Sequence, residues 1–160
     1  MLQHPTEVKH AKNTARLISL VAPATEIVVG ETAEDFSAVR KRLQANRHAV
    51  VLYPASDSVP LGESLTAEPI DSVIIIDGTW RKAKKIWLSN PWLHTMRVCH
   101  LNDADRSKYL IRSSSEPEGL ASIEAAAFAL HQLGDTNTHA LLDVFMAMQA
   151  YWPLGTRETQ

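Results

Sequence analysis

Asp77 is the residue of this chain best placed to do chemistry. It follows five largely apolar residues, 72–76 (SVIII), and precedes Gly78, so its carboxylate stands at a strand exit where the backbone turns without a Cβ. There it can act as a general base. It can equally cap the next helix, since an Asp ahead of a helix satisfies free backbone N–H groups, and Thr79 competes for the same role. Trp80 stands one residue further on, followed by Arg81, Lys82, Lys84 and Lys85 with no acid among them. An indole so placed either stacks on a base or adenine ring or fills a core, and the basic run either meets phosphates or is a solvated helix face. A second strand exit is Tyr53-Pro54-Ala55-Ser56, after the buried-strand pattern HAVVLY. Lys9, His10, Lys12 and Arg16 form a second basic cluster.

Other chemistries find less support. Neither a Gly-x-Gly-x-x-Gly nor a Walker-type loop is present, which argues against a nicotinamide cofactor or a nucleoside triphosphatase. Neither His4 with Glu7 and His10 nor His94 with His100 has convincing metal-ligand spacing, so no catalytic metal is expected. Ser56, Ser114 and Ser122 lack the Gly-x-Ser-x-Gly elbow of a nucleophile and suit turns and caps better. The single cysteine, Cys99, excludes an intrachain disulfide and a thiolate zinc cluster, and fits a small buried apolar position. A net charge of −2 means that any nucleic-acid site must be a local patch.

Strands and helices must alternate to hold these residues. Apolar spacing predicts helices over residues 9–20, 34–46, 79–89, 122–133 and 138–151, and strands over 25–29, 48–53, 72–76 and 96–101. Ser122 is the expected cap and Gly134 the stop of the fourth helix. The last helix carries Leu141, Val144, Phe145, Met148 and Trp152 on one face, a stripe that suits either the chain's own core or a second copy. Residues 54–69 and 102–119 show no period and read as long loops. The 160 residues therefore make one α/β domain, a mostly parallel sheet with helices on both faces. In such sheets ligands sit beyond the carboxyl ends of the strands, where both singled-out segments lie. No apolar stretch approaches the roughly 18 residues of a membrane span and the start has no signal-like segment, so a cytoplasmic protein is expected.

Five segments taken together resemble the DTW domain in order and spacing: Asn13-Thr14-Ala15-Arg16-Leu17, Tyr53-Pro54-Ala55-Ser56, Asp77-Gly78-Thr79-Trp80 with Lys82-Ala83-Lys84-Lys85, Tyr109-Leu110-Ile111-Arg112, and Ala121-Ser122-Ile123-Glu124-Ala125. The resemblance runs from His4 to about Trp152. It implies a SPOUT-like fold with a C-terminal trefoil knot, and transfer of the 3-amino-3-carboxypropyl group of S-adenosylmethionine to N3 of a uridine in tRNA, leaving methylthioadenosine. On that resemblance Asp77, Thr79 and Trp80 form the catalytic set, with Asp77 the base and Trp80 under the uridine. Tyr53, Pro54, Ala55, Leu101, Leu110, Arg112, Leu120, Ala121 and Ser122 would hold the donor. Arg81, Lys82, Lys84, Lys85, Lys12 and Arg16 would meet tRNA. Many members carry a cysteine-rich segment ahead of the domain that this sequence lacks, and the first strand is expected to be cut short at Met1. The alternatives are a methyltransferase of the same fold and a non-catalytic RNA-binding relative. A homodimer through the last helix is a further expectation.

Overall fold

The computed structural model describes residues 1–10, 13–64, 68–102, 120–135 and 138–151. Its most apolar run becomes a central strand, Ser72–Asp77, because a strand covered on both faces needs apolar residues at nearly every position. In chain order the strands are β1 (Leu2–Gln3), β2 (Val28–Val29), β3 (Ala49–Leu52), β4 (Val59–Pro60), β5 (Ser72–Asp77) and β6 (Arg97–His100). Among the described residues they form a six-stranded sheet of order β2-β1-β5-β3-β6-β4, in which every pairing is parallel. All carboxyl ends therefore emerge at one edge. Register sets Ile75 beside Leu52 and Leu52 beside Cys99.

The helices are α1 (Ala15–Val21), α2 (Ser37–Ala45), α3 (Leu61–Ser64), α4 (Trp80–Ser89), α5 (Ser122–Gln132) and α6 (His139–Tyr151), with 3-10 turns at Pro5–Glu7 and Pro91–Thr95. Alternation along the strands sorts them into two layers. Leu2, Val51, Ile74 and Ile76 face Phe36 and Val39 of the α2 side, Ala83 and Ile86 of α4, and Trp92. Ile75 and Val73 face Ile18 of α1, Ile123, Ala126 and Ala127 of α5, and Leu141 of α6. Cys99, buried as expected, packs with Val50, Leu61 and Ala129. Helices thus cover both faces, as the pattern of the sequence predicts. No helix among the described residues is long and apolar enough to cross a membrane.

Three expectations need correction. The first helix starts at Ala15 rather than residue 9, because Asn13 Oδ1 accepts the Ala15 N–H at 2.9 Å and Pro5–Glu7 forms a separate turn. The stretch 54–69 is not all loop: Val59–Pro60 pairs with β6 as an edge strand, where a proline is tolerated, and Leu61–Ser64 follows as a helical turn. Ser122 does not cap α5. Ala121 holds that position, and its N–H donates to Glu124 Oε2 at 2.8 Å. Leu141, Val144 and Phe145 of the last helix pack against their own chain's core, one of the two roles open to that stripe. Gly134 ends α5 as expected, with φ +86° in the region that favours glycine. Residues 103–119, between β6 and α5, and residues 152–160, with Trp152, lie outside the described residues.

Candidate active site

Asp77 closes β5 at the carboxyl edge and is 7% exposed. Neither it nor Thr79 caps α4 with its side chain; Thr79 occupies the cap position, and its carbonyl accepts the Ala83 N–H at 2.8 Å. The Asp77 carboxylate is instead claimed from both sides. Gln3 Nε2, from the end of β1, donates to Oδ2 at 2.8 Å, and Ser122 Oγ donates to Oδ1. A buried carboxylate is tolerable only with such partners.

The orientation of this network is forced from the backbone outward. Asn13 Oδ1 must accept from the Ala15 N–H, and Asn13 Nδ2 donates to the Glu7 carbonyl at 2.9 Å, so its amide cannot be reversed. The amide of Gln3, 3% exposed, therefore turns Nε2 toward Asn13 Oδ1 at 3.3 Å and, with its other hydrogen, toward Asp77. Two segments distant in sequence, at Gln3 and at Ser122, converge on the Asp77 carboxylate. Nothing in the periodicity of the sequence marks Gln3, but a polar residue between Leu2 and the turn His4-Pro5 is the signal that could have found it.

Gly78 lets α4 close over this point, since a Cβ there would stand 3.1 Å from Lys82 Cβ. Trp80 opens the helix with 53% of its surface exposed, which excludes the core reading of this indole. The basic run then divides in two. Lys82 Nζ meets Glu7 Oε1 at 2.6 Å, and Lys85 Nζ meets Glu31 Oε1 at 2.9 Å. These lysines tie α4 to the exits of β1 and β2. Arg81 and Lys84 are exposed and make no ion pair among the described residues. Glu31 also takes His4 Nε2 at 2.7 Å; Lys85 first and His4 second hold its carboxyl below the ordinary value. The Lys85–Glu31 tie is therefore present above the ordinary carboxylate range and is lost as pH falls through the lowered value.

At the exit of β3, the Tyr53 ring stacks on Trp87 of α4 with centroids 4.5 Å apart and planes 13° from parallel, and Trp87 also meets His94, with ring centroids 4.1 Å apart. Burial raises the Tyr53 phenol above its usual value. Pro54 is exposed, while Ala55 turns back through its N–H to the Tyr53 carbonyl at 2.8 Å. Leu101 follows β6 and packs against the cluster that holds Cys99, and Leu120 and Ala121 lead into α5. Arg16 is exposed on α1. Of the expected donor and RNA residues, Leu110, Arg112 and Lys12 lie outside the described residues. Those remaining, with Asp77, share the carboxyl edge except for the basic residues along α4 and α1.

The same chain matches the family model of the DTW domain over residues 1–152. It is 34% identical over 134 residues, 81% of its length and 53% of the relative's, to a tRNA-uridine aminocarboxypropyltransferase 2 of Drosophila melanogaster. Proteins of that name from Macaca fascicularis and Mus musculus are 29% identical over 143 residues, covering 86% of this chain and 48% of theirs. The chain thus spans about half the length of the curated relatives it matches. No solved structure matches it. With the Asp-Gly-Thr-Trp segment intact and the match running through nearly all of the sequence, this chain belongs to the DTW-domain family.

Proposed function

We propose that this chain transfers the 3-amino-3-carboxypropyl group of S-adenosylmethionine to N3 of a uridine in tRNA. The names of its relatives give the transferred group and the tRNA uridine for those proteins. The observation that carries the reading is Asp77, a buried carboxylate of fixed orientation at the carboxyl edge, followed three residues on by an exposed indole. The donor supplies an activated carbon next to a sulfonium leaving group. Tyr53, Pro54, Ala55, Leu101, Leu120, Ala121 and Ser122 would hold it, a mixed apolar and backbone-rich cradle at the strand exits that suits an adenosine. Leu110 and Arg112 belong to this proposal on the family motif alone, as does the knot. Trp80 offers its exposed face to the uracil ring.

The acceptor N3–H must lose its proton as the new bond forms. A proton gained by Asp77 is accommodated on Oδ1, where the Ser122 hydroxyl can turn from donor to acceptor, while Oδ2 goes on accepting from Gln3. Ser122 is thus the partner that lets Asp77 change charge without leaving a buried lone pair unmatched. Its place on α5 makes it a working part of the site rather than a cap.

Phosphate binding is assigned to Arg81 and Lys84, with Arg16 and Lys12 on the other flank. Replacing Arg81 and Lys84 by Gln should weaken tRNA binding and reduce the dependence of log K on log salt by about one unit for each phosphate no longer neutralised. The Lys82→Gln/Lys85→Gln pair should leave that slope nearly unchanged, because those side chains are already engaged by Glu7 and Glu31. A slope that follows Lys82 and Lys85 instead would reverse the assignment. Pairing of two copies through α6 would use Met146 and Tyr151, its exposed apolar residues. Light scattering should then find a dimer, and a monomer would end that part of the reading. Calorimetry tests the whole: S-adenosylmethionine should bind without RNA, whereas RNA binding with no affinity for the donor would favour the non-catalytic alternative.

A further inference from the structure

His100 ends β6 at the carboxyl edge, one register step past Cys99 and therefore level with Tyr53, and it immediately precedes Leu101. It is half-buried, and its Nδ1 lies 2.9 Å from Ser58 Oγ. The same hydroxyl oxygen lies 2.6 Å from the Ala55 carbonyl. A carbonyl can only accept, so the one hydrogen of Ser58 is committed to Ala55. Ser58 must then accept from His100, which requires the hydrogen on Nδ1. In the neutral ring Nε2 is left with a bare lone pair, and it has no partner among the described residues. The ring is thereby fastened to the 53–55 turn with its acceptor nitrogen preset.

We propose that His100 Nε2 accepts a hydrogen bond from an N–H group of S-adenosylmethionine, making His100 a donor-binding residue held in its tautomer by Ser58. The inference rests on the donor-site reading above, because Tyr53 and Leu101 adjoin His100 in register and in sequence, and Ser58 links it to the turn of Pro54 and Ala55. Two groups of the ligand have the required chemistry, the exocyclic amine of adenine and the α-ammonium of the amino acid.

Long-range nitrogen–proton NMR of the intact chain should show His100 with its proton on Nδ1, and added S-adenosylmethionine should shift Nε2 in the direction of a hydrogen-bonded acceptor. His100→Asn keeps a donor near Ser58 and removes the distal acceptor, so donor affinity should fall about ten-fold; His100→Gln restores a distal oxygen and should recover most of the loss. Ser58→Ala should free the tautomer and weaken binding by a smaller factor. Methylthioadenosine separates the two groups: equal losses for both ligands point to the adenine amine, and a loss confined to S-adenosylmethionine points to the ammonium. If the wild type binds the donor while Nε2 stays unshifted and His100→Asn binds equally well, the inference fails and His100 is only a structural tie. A wild type that binds neither ligand overturns the donor-site reading on which it rests.

Discussion

Asp77→Asn is expected to abolish transfer, lowering turnover by about 10²–10⁴-fold, the range that removal of a general base produces. Its fold should survive, for a reason specific to this network. The new amide has one orientation that works: its oxygen accepts from Gln3 Nε2, and its NH2 faces Ser122 Oγ, whose hydroxyl rotates from donor to acceptor. The opposite orientation sets NH2 against the Gln3 NH2, and Gln3 cannot reverse because its own oxygen would then oppose Asn13 Oδ1, which the Ala15 N–H holds in place. Asp77→Asn should therefore cost only about 1 kcal/mol, the difference between charged and neutral hydrogen bonds. Asp77→Ala leaves the buried Gln3 donor without an acceptor and should cost about 1–3 kcal/mol. Adding Ser122→Ala to Asp77→Asn removes the acceptor that the new NH2 needs, so the melting temperature of the double variant should fall below that of either single one. An Asn variant with full turnover would reduce Asp77 to an anchor of the β1 and β5 exits.

Phe145→Glu should unfold the domain or lower its stability by about 2–4 kcal/mol, since it sets an unpaired carboxylate against a core. Phe145 packs on the cluster of Ile18, Ile75, Ile123 and Leu141, within which α1, α5 and β5 meet. Circular dichroism and denaturant titration measure this directly. A variant that keeps its stability yet changes from dimer to monomer would instead place Phe145 between two copies. The effect should reach the site as well, because α5 carries Ser122 and any tilt of that helix moves the partner of Asp77.

Periodicity makes the layered architecture legible because the sheet is buried on both faces. The run at 72–76 fits little but a central strand, and the spacing in α4, α5 and α6 follows from the face each buries. Short elements escape for the complementary reason. Val59–Pro60 has two residues, too few for a period, and is a strand only because the longer β6 presents a free edge to it. Asp77, Trp80 and Ser122 are legible as candidate site residues, yet the partner of Ser122 is not, since a serine at a helix start looks like a cap until its tertiary contact is seen. Charge runs likewise do not disclose their partners. Lys82 and Lys85 read together with Arg81 and Lys84 along the chain, whereas Glu7 and Glu31, distant in sequence, claim the two lysines in the fold. The roles of Gln3, Asn13 and His100 are set by partners that only the fold brings to them.

The reaction itself is tested most directly by its by-product. Intact chain incubated with S-adenosylmethionine labelled in the aminocarboxypropyl group and with total tRNA should transfer label to RNA and release methylthioadenosine in equal amount, with neither product formed by Asp77→Asn. Release of S-adenosylhomocysteine with no label in the RNA would contradict the account and make the chain a methyltransferase.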